Sequence, residues 1–114
     1  GQDISAYANS ENNFVSVLVA VSDDGNILAV GESLDDSAGK NAGQTKVFEW
    51  NGSAWVQRGG AISGDEAGDG LGASVALSAD GNTLAIGAFE TENDDGTETA
   101  SARVFDWNGT VWIQ

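Results

Sequence analysis

The chain contains no cysteine, histidine, proline or methionine among its 114 residues. Without cysteine and histidine it has no disulfide, no thiolate or imidazole metal ligand, and neither the nucleophile nor the base of many hydrolases. Without proline, its turns must be built from glycine, asparagine and aspartate. These absences predict a protein that is not an enzyme and requires no cofactor.

Positive charge is also scarce, with 4 basic against 18 acidic side chains and a net charge of −14. Nucleic acid and anionic membrane surfaces are therefore excluded as expected partners, because phosphate contacts need lysine and arginine. The longest apolar run lies near Val15–Val21. It is far shorter than the roughly 20 residues that span a bilayer, so no membrane insertion is expected.

What the sequence does contain is a repeat. Val47–Gln57 returns as Val104–Gln114, and Asp24–Gly31 returns as Asp80–Gly87. We therefore divide the chain into repeat 1 (residues 1–58), whose first segment has diverged, and repeat 2 (59–114). A repeat unit does not bury its apolar surface alone and needs neighbours. The matching ends indicate a section of a longer array, and a natural two-repeat protein is the alternative.

Short alternating runs separated by Gly, Asn and Asp predict four antiparallel strands in each repeat. Asn51-Gly52 and Asn108-Gly109 predict two-residue type I′ turns, and residues 89–101 predict a polar loop. The predicted strands are 17–22, 27–31, 46–50 and 54–57 in repeat 1, and 73–78, 83–88, 102–107 and 111–114 in repeat 2. The apolar positions expected to pack are Val17, Val19, Val21, Leu28, Val30, Phe48, Trp50, Val75, Leu77, Leu84, Ile86, Phe105 and Trp107.

The segment Gly64–Ala88, with its LSADGNTLAIGA hairpin, and the later VFDWNGTVWIQ hairpin resemble the FG-GAP repeat family. The closest resemblance is to the variant found in extracellular proteins of aquatic microbes. It implies β-propeller blades, about seven to a ring as in integrin α-chains, so two blades do not close a ring. The family's calcium loop is not carried over, because residues 22–26 and 78–82 are too short to wrap a cation.

Three groups of acidic residues are candidates for divalent cations. Asp65, Glu66 and Asp69 alternate with glycines and form a weak calcium candidate, with a solvated inter-blade loop as the alternative. The other two groups more often form solvated loops. They consist of Glu90, Glu92, Asp94, Asp95 and Glu98 in repeat 2, and Glu32, Asp35 and Asp36 in repeat 1.

Two further features lie at the predicted hairpins. Asn51-Gly52-Ser53 and Asn108-Gly109-Thr110 are N-glycosylation sequons, although Asn-Gly is favoured there for turn geometry alone. Tryptophans flank both turns, at positions 50 and 55 and at 107 and 112. Such pairs stack on sugars in some proteins, but more often they stabilise a hairpin and fill the gap between blades.

The sequence thus predicts an all-β fold of two tandem four-stranded antiparallel blades of β-propeller type, part of a larger propeller or an open array. We expect a non-enzymatic, extracellular or cell-surface structural or adhesion module. Its partners are copies of itself or adjacent repeats, together with any attached glycans. The alternative is a glycan- or divalent-cation-binding propeller module, with calcium as the candidate cofactor.

Overall fold

A computed structural model describes residues 17–92 and 98–114, with side chains outside positions 89–99. The diverged segment Ala6–Phe14 lies outside these ranges. Nine strands are present and no helix occurs in the described part of the chain, so none there is able to cross a membrane. The strands are β1 (Val17–Val21), β2 (Ile27–Glu32), β3 (Gln44–Trp50), β4 (Trp55–Gln57), β5 (Ile62–Ser63), β6 (Ser74–Leu77), β7 (Thr83–Glu92), β8 (Glu98–Trp107) and β9 (Trp112–Ile113).

The strands form two antiparallel sheets, each in sequence order. Sheet 1 runs β1-β2-β3-β4, and sheet 2 runs β6-β7-β8-β9. The predicted all-β class and the four antiparallel strands of each repeat are therefore confirmed. Strand β5 pairs with β3 beside Gln44 and Thr45, further along the same edge that β4 occupies. It follows residue 58, so the first residues of predicted repeat 2 complete sheet 1.

The predicted loop at residues 89–101 is wrong over most of its length. β7 continues to Glu92 and β8 begins at Glu98, with Phe89 paired to Ala100 and a register shift between Phe89 and Glu92. The acidic composition suggested a loop, but the backbone of this segment extends the pairing of β7 with β8. The five candidate carboxylates of this segment lie outside the described side chains.

The hairpins at Asn51 and Asn108 are confirmed, but the predicted two-residue type I′ turn is wrong. Trp50 pairs with Trp55, so four residues form the loop, and only its glycine has a positive φ (101° at Gly52). The Asn51 Oδ1 atom accepts hydrogen bonds from the backbone N–H groups of Ser53 and Ala54. Asn108 repeats this arrangement. Asparagine is thus used here for its side-chain acceptor rather than for a left-handed φ.

Candidate functional site

The most distinctive feature of the fold is the interface between the two sheets. Each sheet has two faces, since successive side chains point to opposite sides. We call the face of Val19, Leu28, Val30 and Phe48 the front face of sheet 1; the equivalent front face of sheet 2 carries Val75, Leu84, Ile86 and Phe105. The back faces carry Ile27, Ala29 and Val47 in sheet 1, and Thr83, Ala85 and Val104 in sheet 2.

The core lies between the front face of sheet 2 and the back face of sheet 1. Its buried members come from both sheets and from the connecting segment, and Val75, Leu77, Trp112 and Ile62 pack against them. Neither sheet therefore forms a core alone. The buried members are Ile27, Ala29, Val47, Leu71, Leu84, Ile86, Ala88 and Phe105.

A seam of backbone contacts runs along one side of this interface. The N–H groups of Gly70 and Leu71 donate to the carbonyls of Asn41 and Ala42, each at 3.0 Å, and Gly43 forms a parallel bridge with Leu71. Gly43 has φ of +80°, and a Cβ there would collide with the Leu71 backbone. The glycine-rich segment 64–72 therefore serves to bring two backbones together, and its single large apolar residue, Leu71, is fully buried.

A second contact joins the sheets through Arg58, which lies between β4 and β5. Its guanidinium donates to the Gly81 carbonyl (3.0 Å) and to Asn82 Oδ1 (2.9 Å), and it lies 4.7 Å from the Trp107 ring centroid. In return, Trp112 Nε1 donates to the Arg58 carbonyl at 3.0 Å. Cations are attracted to the faces of indole rings. The second tryptophan pair therefore holds an arginine from the other repeat, a role that the isolated residue did not reveal in the sequence.

Both tryptophan pairs are cross-strand pairs within a hairpin. The ring centroids of Trp50 and Trp55 are 5.5 Å apart, and those of Trp107 and Trp112 are 5.3 Å apart, with tilted planes in both cases. This is the spacing at which aromatic pairs attract one another. The geometry agrees with the prediction that these side chains stabilise the hairpins.

Equivalent turns of the two repeats have nearly the same hydrogen bonds. Asp24 accepts from the Ser22 hydroxyl and the Asn26 N–H, both at 2.9 Å, and Asp80 accepts from Ser78 and Asn82 in the same way. These bonds, the backbone N–H first, hold the pKa of Asp24 and Asp80 below the ordinary value of 3.8. The carboxylates complete tight turns, as the short spacing predicted.

The surroundings of these two turns differ. Gly25 and Gly81 have φ of +77° and +76°, but a Cβ at Gly81 would meet Ile27 of sheet 1, whereas one at Gly25 would meet open space. The Asp23 N–H also donates to the Ala79 carbonyl at 3.0 Å, so the equivalent turns contact one another. The turn of sheet 2 thus packs against sheet 1, whereas no described residue lies against the corresponding side of the sheet 1 turn.

The three weak calcium candidates occupy different positions. Asp69 is buried, and its Oδ2 accepts from the N–H groups of Asp65 and Glu66. The Asp65 carboxylate instead forms an exposed ion pair with Arg103 at 3.0 Å. In the described part of the chain, no three Asp, Glu, His or Cys side chains are grouped as a metal site requires. The loop's geometry is explained by its own hydrogen bonds, and calcium binding there stays a prediction.

The acidic residues of repeat 1 are not a solvated run. Glu32 and Asp35 are 3% and 2% exposed. The two Asp35 oxygens accept from the Ser37 N–H (2.8 Å) and from Gln44 Nε2 (3.0 Å), and Glu32 lies 3.9 Å from Lys46. Buried carboxylates require such partners. Asp36, partly buried, accepts from the Asn41 N–H. The hydrogen bonds of Asp35 and Asp36 fix the loop between β2 and β3, which contacts the glycine-rich segment 64–72.

The two sequon asparagines, Asn51 and Asn108, are exposed at the hairpin tips. Each uses its side-chain oxygen to fix the loop, whereas a glycan would be attached to the side-chain nitrogen. The turn role of both residues is explained by these bonds. Glycosylation stays a prediction.

The predicted packing positions differ in burial, and both sheets contribute to the buried and to the partly buried groups. Val30, Leu84, Ile86 and Phe105 are buried. Leu28, Phe48, Trp50, Val75, Leu77 and Trp107 are partly buried.

The prediction was wrong for β1, where Val17, Val19 and Val21 are 39%, 63% and 56% exposed. Sheet 2 covers the opposite face of sheet 1, and at β1 this cover is itself incomplete, because Leu18 on the opposite face is 42% exposed. The front face of sheet 1 is open only in part: Val19 and Val21 on it face outward, whereas Val30, Glu32 and Gln44 are 4%, 3% and 6% exposed. On the back face of sheet 2, Val104 is 54% exposed.

No protein-family model, curated protein or solved structure matches the chain. Its chemistry must therefore be inferred from the interface itself.

Proposed function

We propose that the chain is a non-enzymatic structural or adhesion module that builds a larger propeller or fibre from stacked sheets. One observation carries the proposal: the core lies between two repeat-equivalent sheets, and the second face of each sheet has exposed apolar side chains, such as Val19 in sheet 1 and Val104 in sheet 2. Sheets of this kind become stable by acquiring neighbours. The neighbours are copies of the chain or adjacent repeats of the same chain.

Each sheet would act as a blade of β-propeller type. Four sequential antiparallel strands, stacked face to face with the next sheet through a glycine-rich connection, support this assignment. The resemblance of both hairpins to FG-GAP repeats supports it independently.

The proposed location is outside the cell or on its surface. The net charge of −14 and the exposed sequons Asn51 and Asn108 support an acidic, glycan-bearing exterior that keeps stacked sheets soluble. Glycan occupancy is tested by intact mass, before and after glycosidase treatment, of protein purified from its native source.

Mass in solution tests the structural proposal. Light scattering of the purified chain, from low micromolar to millimolar concentration, is expected to show a mass that rises with concentration. Added salt should increase association by screening the like charges of the copies. A well-folded monomer over the whole range would contradict the proposal.

A second candidate is a glycan-binding module. An open cleft of about 380 Å³ is lined by Glu49, Asn51, Val56, Gln57 and Arg58. Its carboxylate, amide and guanidinium groups are of the kinds that bind sugar hydroxyls. Calorimetric titration with simple sugars, and with Ca²⁺ for the cation alternative, should give saturable heat if this candidate is correct and none if the chain is only a scaffold.

A further inference from the structure

The internal interface supplies a template for contact between molecules. Within the chain, the front face of sheet 2 packs on the back face of sheet 1. Among the described residues, no further sheet covers the front face of sheet 1 or the back face of sheet 2. On the front face of sheet 1, Val19 and Val21 are exposed, whereas Val30 and Glu32 are already buried by the chain itself. Two copies therefore carry complementary halves of an interface that already exists inside each one.

We propose that the back face of sheet 2 binds the front face of sheet 1 of a second copy, in the same register as the internal interface. This contact rests on the proposed function. It specifies the partner as a second copy, the two faces that meet, and the order in which copies add. The contact is heterologous, since different surfaces meet, so successive copies add head to tail and form a ring or an open fibre.

The receiving face has suitable side chains. Ala85 and Gly87 repeat Ala29 and Gly31 of sheet 1, Val104 repeats Val47, and Thr83 replaces Ile27. The hydroxyl of Thr83 donates to Asp106 at 2.9 Å, so its polar group already has a partner. The back face of sheet 1 contacts sheet 2 inside the chain. The back face of sheet 2 has the same residues at three of these four positions.

The entering face matches equally well. At five front-face positions sheet 1 has an apolar residue wherever sheet 2 does; the pairs are Val19 and Val75, Val21 and Leu77, Leu28 and Leu84, Val30 and Ile86, and Phe48 and Phe105. The two front faces differ in polarity where the end of β2 lies beside β3. There Glu32 and Lys46 form an ion pair, where sheet 2 has Ala88 and Arg103.

The turn at Gly25 fixes the register. Gly81 lies against Ile27 because it has no Cβ, and the equivalent side of Gly25 is open. In the proposed contact, Gly25 of the second copy lies against Thr83, the repeat equivalent of Ile27. The absence of a Cβ at Gly25 therefore allows this close contact with Thr83.

The size of the contact sets the concentration range of the test. Four strands of about six residues make a face of roughly 20 by 20 Å. Such a face lies at or below the lower end of stable interfaces, which bury about 1,200–2,000 Å² in total. Association is expected to be weak, at tens of micromolar or above.

Two arginine variants test the pairing of faces. Val104→Arg blocks the receiving face and Val19→Arg blocks the entering face; both positions are exposed, at 54% and 63%, so folding should survive. Each change adds positive charge to a chain of net charge −14, so lost association is not due to greater repulsion. Val111→Arg, at a hairpin valine that is 47% exposed, is the matched control.

Light scattering should find Val104→Arg and Val19→Arg monomeric at concentrations where the wild type and Val111→Arg associate. An equimolar mixture of the two blocked variants should form a complex of twice the chain mass and nothing larger, because one intact face of each kind remains. Circular dichroism confirms folding. If either variant misfolds, Val21→Arg and Ala76→Arg, exposed on the same two faces, replace them.

Two results would overturn the inference while leaving the proposed function standing: a blocked variant that associates like the wild type, or a mixture that stays monomeric. A wild type that is monomeric throughout would instead remove the proposed function as well.

Discussion

Val47 and Val104 occupy the same position in the two repeats, yet one is 1% exposed and the other 54%. Both lie on a back face, next to equivalent strands and before equivalent Trp hairpins. The difference is that sheet 2 covers Val47 and nothing in the described structure covers Val104 to the same extent. The burial of this back-face valine is therefore set by the neighbouring sheet and not by the local sequence.

The largest expected effect is the loss of stability when the two valines are truncated in turn. Val47→Ala should destabilise the fold by roughly 2–3 kcal/mol, since it removes about two methylene equivalents from a packed site and leaves a cavity. That loss corresponds to a fall in melting temperature of about 10 °C or more. Val104→Ala, the matched control, should change stability by less than about 0.5 kcal/mol. Equal effects in thermal and urea unfolding would contradict the assignment of the core.

An intermediate effect is expected at the turn glycines. Gly25→Ala and Gly81→Ala force the same left-handed φ on alanine, so this cost cancels between them. Gly81→Ala also drives a Cβ into Ile27 and should cost roughly 1–3 kcal/mol more, as overpacking does. Denaturant titration of both variants measures the difference. If Gly25→Ala were as damaging as Gly81→Ala, the contact between sheets would contribute nothing at this turn.

The smallest effect concerns the turn carboxylates. Because the folded-state pKa of Asp80 is lowered, its ionised form stabilises the fold above the ordinary value of 3.8, and this contribution declines as the pH falls below it. Asp80→Asn should therefore lower the melting temperature slightly at pH 6 and less at pH 2.5. Asp24→Asn should behave similarly, since its hydrogen bonds are the same. A difference from wild type that grows toward low pH would contradict the sign.

The sequence was sufficient for the four sequential strands of each sheet and for the two faces of each sheet, but not for β5 or for the extension of β7 and β8. Alternation separated Val104 from Phe105, and the structure places Phe105 in the core. The sequence did not show which face is covered. Alternation of side chains along a strand defines two faces, but it does not show which face packs against another sheet. Val19 and Val75 read alike in sequence and differ in the fold for this reason.

Charged and irregular segments were the other source of error. The burial of Glu32 and Asp35 depends on partners in the folded chain, Lys46 and Gln44, that no local pattern announces. Arg58 is similar, because its contacts lie more than 20 residues away in sequence. Leu71 was more accessible to prediction: a single large apolar residue in a glycine-rich segment is a signal for close packing.

The central claim is that the back face of a sheet becomes buried when the front face of the next sheet packs against it. Methyl NMR of the wild-type chain across a concentration series tests it most directly, with Val47 as the internal reference. We expect the Val104 and Val19 methyl resonances to shift together and saturably as concentration rises, while those of Val47, already covered, stay fixed. Resonances of Val104 and Val19 that do not move up to millimolar concentration would contradict the account.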